Sequence, residues 1–219
     1  MNFSFLSTYY TFFLQGAYMT ILLAIISVIA GTVLGVILTM MRRSDIKVIK
    51  WISIGYTEFI RGTPLLAQIF LVYVGLPAIL GINVVDFLTG AIALTMHSSA
   101  YISETIRSGI EAVPYGQTEA ARSLGMSKRR TMMEIILPQA FKNILPALVN
   151  QFIGNIKDSS LVSVIGISEL MYQTTTVRGT TALGLEPVIV ASVIYLILTL
   201  ILTRMMGRLE RRLKTSDTR

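Results

Sequence analysis

The sequence has no cysteine and only one histidine, His97. Without cysteine there is no disulfide, no thiolate nucleophile and no zinc–thiolate site, and the redox compartment leaves no trace. Charge is scarce too: 14% of the 219 residues are Asp, Glu, Lys or Arg, against roughly 25% in a soluble globular domain. So little charge does not cover a water-facing surface, which excludes an ordinary soluble domain. No G-x-x-x-x-G-K-[ST] phosphate loop or other nucleotide fingerprint is present, so the chain is not expected to hydrolyse ATP. No Lys or Arg precedes Arg42, so the first apolar block lacks the basic flank of a secretory signal and reads as a span that stays.

What the chain does have is apolar length. Hydrophobic residues make up 53% of it, and the mean hydropathy is +0.67. Ala17–Met41 runs without a charge for a helical length of roughly 37 Å, enough to cross a hydrocarbon core of about 30 Å. Five such segments are expected: Ala17–Met41, Thr63–Leu80, Asp86–Ile106, Asn143–Ile165 and Pro187–Met206. Pro64 and Pro187 mark starts, and Gly81 and Gly166 mark stops. The predicted fold class is therefore all-α, a single polytopic membrane domain over residues 1–219.

Charge sets the orientation. With the N-terminus outside, the inner segments hold seventeen of the nineteen basic residues: Arg42, Arg43, Lys47, Lys50 and Arg61, then Arg107 to Lys142, then Arg204 to Arg219. Only Arg178 falls in an outer loop, and Lys157 lies within the fourth span. This is the positive-inside pattern. It also excludes nucleic acid as a partner, because the net +7 charge is spread along a membrane face and forms no groove-shaped patch.

The inner segment 107–142 is too long for a plain helical hairpin, which uses about 2–8 residues. Pro114-Tyr-Gly116 signals a turn and Gln117–Leu124 a short helix, which Gly125 breaks. Ser127 caps a second helix running to Leu137, which Pro138 is expected to stop. Met126, Met132 and Met133 read as adaptable packing at a partner contact, not as metal ligands.

That segment, with Glu119-Ala120-Ala121, Gly125 and Leu137-Pro138, resembles the EAA loop of bacterial ABC-importer permeases. Glu58-Phe-Ile-Arg-Gly-Thr-Pro-Leu-Leu66 and Lys157-Asp-Ser-Ser-Leu-Val-Ser-Val-Ile-Gly166 resemble two further stretches of the polar amino acid permeases, in the expected order. The resemblance covers most of residues 16–206. It implies a type I importer permease in the bacterial inner membrane, working with a second permease subunit, identical or homologous, an external solute-binding protein and a separate ATPase that holds ATP and Mg. It implies that Gly116, Glu119, Ala120, Ala121 and Gly125 form a cytoplasmic coupling helix seated in the ATPase. Physically, small residues admit close backbone approach, and Gly125 permits a sharp reversal.

Polar groups at membrane depth are the remaining candidates, because ionisable residues there are expensive and mark pathways or pairs. His97, Tyr101 and Glu104 follow i, i+4, i+7 spacing and share one face, with Ser98 beside them. Glu104 has two readings: it lines a cargo cavity with Asn155, Asp158, Tyr101 and Ser98, or it sits at headgroup level balanced by Arg107. Lys157 and Asp158 read either as structural ion-pairing residues or as cavity groups. Glu104 and Asp158 against Lys157 make a net acidic lining, which favours basic cargo such as arginine; a glutamine or glutamate carrier is the alternative. Gly31 and Gly35 form a G-x-x-x-G pattern for close helix packing, within the chain or between copies. An ion channel, a secondary transporter with inverted repeats and an intramembrane hydrolase all find less support: there is no filter, no repeat and no second histidine.

Overall fold

The computed structural model describes residues 1–215, with side chains described through residue 208, and it is all-helical over that range. Of the basic residues counted at the C-terminal end, Arg211, Arg212, Lys214 and Arg219 lie outside the described side chains. The helices are α1 (Leu6–Arg42), α2 (Lys47–Gly62), α3 (Leu65–Leu80), α4 (Asp86–Glu111) and α5 (Tyr115–Ser123). A short α6 (Lys128–Arg130) passes through a π-helical stretch, Thr131–Ile136, into α7 (Leu137–Asp158). The chain then tightens to 3-10 geometry over Ser159–Ile165 and continues as α8 (Leu170–Thr181) and α9 (Glu186–Thr215).

Among the described residues, three helical stretches are long and apolar enough to cross a membrane, namely Leu6–Arg42, Lys128–Ile165 and Glu186–Arg208. The pair α2–α3, bent by 115°, makes a fourth when counted as one broken span. Helix α4 is about 39 Å long at 1.5 Å per residue but carries His97, Glu104, Arg107 and Glu111. Its neighbours explain why it tolerates them: α1, α2, α3 and α7 all pack against it. A helix enclosed by others need not be apolar all round.

The α1–α4 seam is built from small residues. A Cβ on Gly35 would lie 2.9 Å from Ile102 Cγ2 and 3.1 Å from Ser103 N, and one on Gly31 would lie 2.8 Å from Ser98 Cβ. The G-x-x-x-G pattern therefore serves packing within the chain. Two polar stitches lock the seam. Thr39 Oγ1 bonds Gly35 O at 2.8 Å and lies 3.2 Å from Ser103 Oγ. Asn155 on α7 donates to Ser27 Oγ at 2.9 Å and Ser98 Oγ at 2.6 Å, joining three helices.

Four segments differ from the sequence expectation. First, α1 begins at Leu6, eleven residues before Ala17, because Phe5 and Phe13 bury against Leu170, Val177 and Ala191. Second, the basic stretch 47–61 is a helix, with Ser53, Thr57 and Ile60 buried at i, i+4, i+7 and Ser53 Oγ bonded to Leu38 O at 2.7 Å. It ends at Thr63, whose extended backbone follows from the proline after it. Third, Pro138 does not stop its helix. The π-helical stretch just before it widens the turn where the proline ring would meet the preceding carbonyls, so the chain runs on into α7. Fourth, part of the segment after Gly166, expected as a loop, forms α8. The buried Glu169 caps it, accepting Tyr172 N at 2.7 Å and the Tyr195 hydroxyl at 2.8 Å, while Leu170 N donates to Thr20 Oγ1 at 3.2 Å.

Candidate functional site

The stripe on α4 forms as its spacing predicts. The His97 and Tyr101 rings lie 4.8 Å apart, and the Arg61 guanidinium sits 5.9 Å from the Tyr101 centroid. One turn further on, Glu104 accepts from Arg42 at 3.1 Å and from Arg107, with Arg61 at 4.0 Å. This corrects the expected net acidic lining: three guanidiniums from α1, α2 and α4 surround one carboxylate. Arg107 also reaches Glu111. The headgroup-level reading anticipated Arg107; Arg42 and Arg61 come from elsewhere in the chain and carried no local signal.

Asn155 and Ser98 also depart from the expectation. Both are fully buried and bonded to each other, and Gln151 Nε2 donates to Asn155 Oδ1 at 3.0 Å. Their hydrogen bonds hold α1, α4 and α7 together. Asp158 and Lys157 form no ion pair among the described residues, so the structural-pair reading of these two has no partner. Lys157 is exposed and Asp158 half-buried.

Gln68 is a member of this face that the sequence reading missed. Its Nε2 donates to Ile60 O at 2.7 Å and to Thr63 O and Oγ1 at 3.0 Å, closing the α2–α3 elbow. Its Oε1 then lies 3.1 Å from His97 Nδ1. A buried glutamine just after a Thr-Pro break was the available signal. Along α4, then, His97, Tyr101 and Arg61 make a partly open polar face, with the half-buried Asp158 on α7, which packs against α4. A carboxylate, an imidazole, an aromatic ring and a guanidinium together suit a zwitterion.

The second candidate element is α5. Met126 N bonds Ala121 O at 3.1 Å and Gly125 N bonds Arg122 O at 3.0 Å, the paired bonds of a Schellman stop. That stop needs a left-handed residue, and Gly125 has φ +82°. Ser127 Oγ then accepts from Arg130 N at 3.3 Å, capping the next helix as its position predicts. Ala121 is buried toward the body of the protein. Gly116, Glu119, Ala120 and Gly125 are exposed, as are Tyr115 at 74% and Leu124 at 84%. A short rigid helix with bare apolar side chains is thus held out from the bundle.

The family model for the binding-protein-dependent transport system inner membrane component matches residues 31–215. The chain is similar to the arginine transport system permease protein ArtQ of Bacillus subtilis (strain 168), 42% identical over 206 residues covering 94% of each chain. It is 40% identical over 216 residues to the probable glutamine ABC transporter permease protein GlnM of the same organism, covering 99% of this chain and 100% of that one. A crystal structure of an amino acid ABC transporter with histidines matches at a TM-score of 0.92 and 44% identity, covering 97% of this chain and 100% of that one. The inward-facing MetNI methionine ABC transporter, at 18% identity and a TM-score of 0.76 over 91% of this chain and 95% of that one, shares the fold.

Proposed function

The chain belongs to the inner-membrane components of binding-protein-dependent transport systems, and from that premise we propose that it is the permease subunit of an ATP-driven importer for polar amino acids. The observation that supports the ATP-driven part is α5, an exposed helix ended by a left-handed Gly125 and held out from the bundle. Glu119, Ala120, Gly116 and Gly125 face a separate ATPase in this reading, and that partner supplies ATP, Mg and hydrolysis. The permease itself is not an enzyme.

The five spans are α1, α3 with its α2 elbow, α4, α7 and α9. The N-terminus lies outside, and the C-terminus lies in the cytoplasm of a bacterial cell. Five spans do not enclose a route, so a second permease subunit completes it across a pseudo-twofold axis. A solute-binding protein delivers the amino acid from outside. Basic cargo is favoured over glutamine or glutamate. Asp158 is a carboxylate without an ion-pair partner among the described residues, and it offers a site for a cationic group, with His97, Tyr101 and Arg61 along one face of the neighbouring α4. Names among the relatives point both ways, to arginine and to glutamine. Glu104 continues this face of α4, and the buried Ser98 and Asn155 hold α4 against α1 and α7.

Sided proteoliposomes test function and orientation together. Labelled arginine should enter only with binding protein on one face and ATP on the other. In the absence of native cysteine, a Ser127→Cys variant should react with an impermeant reagent from the ATP face alone. Uptake without ATP, or labelling from the binding-protein face, contradicts the proposal.

A further inference from the structure

At the end of α1 two cavities meet. One, of about 320 Å³, is lined by Arg42, Arg43, Lys50 and Arg107 against a single carboxylate, Glu111. The other, of about 580 Å³, is apolar, lined by Val36, Met40, Ile106, Leu137 and Phe141 among others. Thr39 and Arg43 line both.

The charges in the first cavity do not cancel. Arg42 and Arg107 are engaged with Glu104 and Glu111, while Arg43 and Lys50 have no carboxylate partner among the described residues. Unneutralised cations beside a slot for a hydrocarbon chain suit a phosphodiester with an acyl tail. Exposed Val48, Trp51 and Ile52 on α2, next to Lys47 and Lys50, give that helix the composition of one lying at a membrane interface.

We propose that this junction is a binding site for one anionic phospholipid. Arg43 and Lys50 hold the phosphate and the headgroup charge, and one acyl chain lies in the slot between α1, α4 and α7. The leaflet follows from the orientation proposed above. Lipid held there would bridge α1, α2 and α7 next to the segment leading to α5.

The test uses the assembled transporter, purified and offered phosphatidylglycerol or phosphatidylcholine, with retained lipid counted by native mass spectrometry. Because both lipids are added to solubilised complex, the outcome does not depend on orientation. Wild type should retain phosphatidylglycerol preferentially. Arg43→Gln or Lys50→Gln should each lower that retention about five-fold, the factor that one cation near an anionic surface implies. Arg43→Lys should keep most of it. Val36→Trp, which fills the slot and leaves the cations, should lower it as well. Equal loss of phosphatidylcholine in Arg43→Gln overturns the charge-selective site. Displacement of phosphatidylglycerol by inorganic phosphate assigns the cations to a soluble anion and overturns the lipid. A disulfide between copies through Phe141→Cys, with lipid retention unchanged in all variants, assigns the slot to a second chain.

Discussion

Gly35→Ala is expected to destabilise the protein by about 1–3 kcal/mol, the usual cost of overpacking a filled core. The new methyl would lie 2.9 Å from Ile102 Cγ2 and 3.1 Å from both Ser103 N and Ser99 O. Two of these three atoms are backbone, so a rotamer change does not relieve the contact. Separation of α1 from α4 is opposed by the Thr39–Ser103 contact one turn away and by Asn155, which ties Ser27 to Ser98. The matched control is Gly55→Ala on α2, where a Cβ meets nothing within 4 Å. That change should be neutral or stabilising by about 0.5–1 kcal/mol, because alanine loses less backbone entropy in a helix. Thermal unfolding of the purified complex reads both. Equal melting temperatures for the two variants would mean that the seam is looser than described.

Asp158→Asn carries the second large effect, on cargo. A charged hydrogen bond is worth about 1.5–3 kcal/mol, so KM for arginine should rise roughly ten- to a hundred-fold. The fold should survive, since Asp158 anchors no ion pair in the described structure. Glu104→Gln is the contrasting variant. It leaves Arg42, Arg61 and Arg107 without their shared carboxylate and should lower stability more than it alters cargo selectivity. Uptake in vesicles at graded arginine concentrations measures the first, with glutamine as competitor. An unchanged KM in Asp158→Asn removes that residue from the cargo site and the argument for basic cargo with it.

Local chemistry was readable in the sequence. Gly125 and Ser127 write their own stop and cap, and the small residues at 31 and 35 announce a close helix crossing. A charge-free run such as Ala17–Met41 is legible because the bilayer sets its length. The parts that escaped depend on distant partners. Helix α2 was hidden because its basic residues read as a loop, although Ser53, Thr57 and Ile60 already lay on one helical face. Pro138 looked like a terminator because the π-helical relief that accommodates it has no residue signature. Glu104 looked uncompensated because Arg42 and Arg61 lie 62 and 43 positions away in sequence and come together only when α1 and α2 pack on α4. The buried Glu169 gave no sign of its role, since Tyr195 and Thr20 belong to other helices.

If α5 passes the motion of a separate ATPase to the membrane helices, Gly125→Leu should break that link. Its φ of +82° is open to glycine and strained for leucine, while a Cβ there meets nothing within 4 Å. The substitution therefore distorts the α5 stop by roughly 1–2 kcal/mol without disturbing the bundle. In proteoliposomes with the ATPase and the binding protein, wild type should accumulate arginine only when ATP is supplied. Gly125→Leu should fold and insert normally, yet lose most of that uptake, through either loss of the ATPase or hydrolysis without transport. Full ATP-driven uptake by Gly125→Leu, with the ATPase bound as in wild type, would contradict the coupling role of α5.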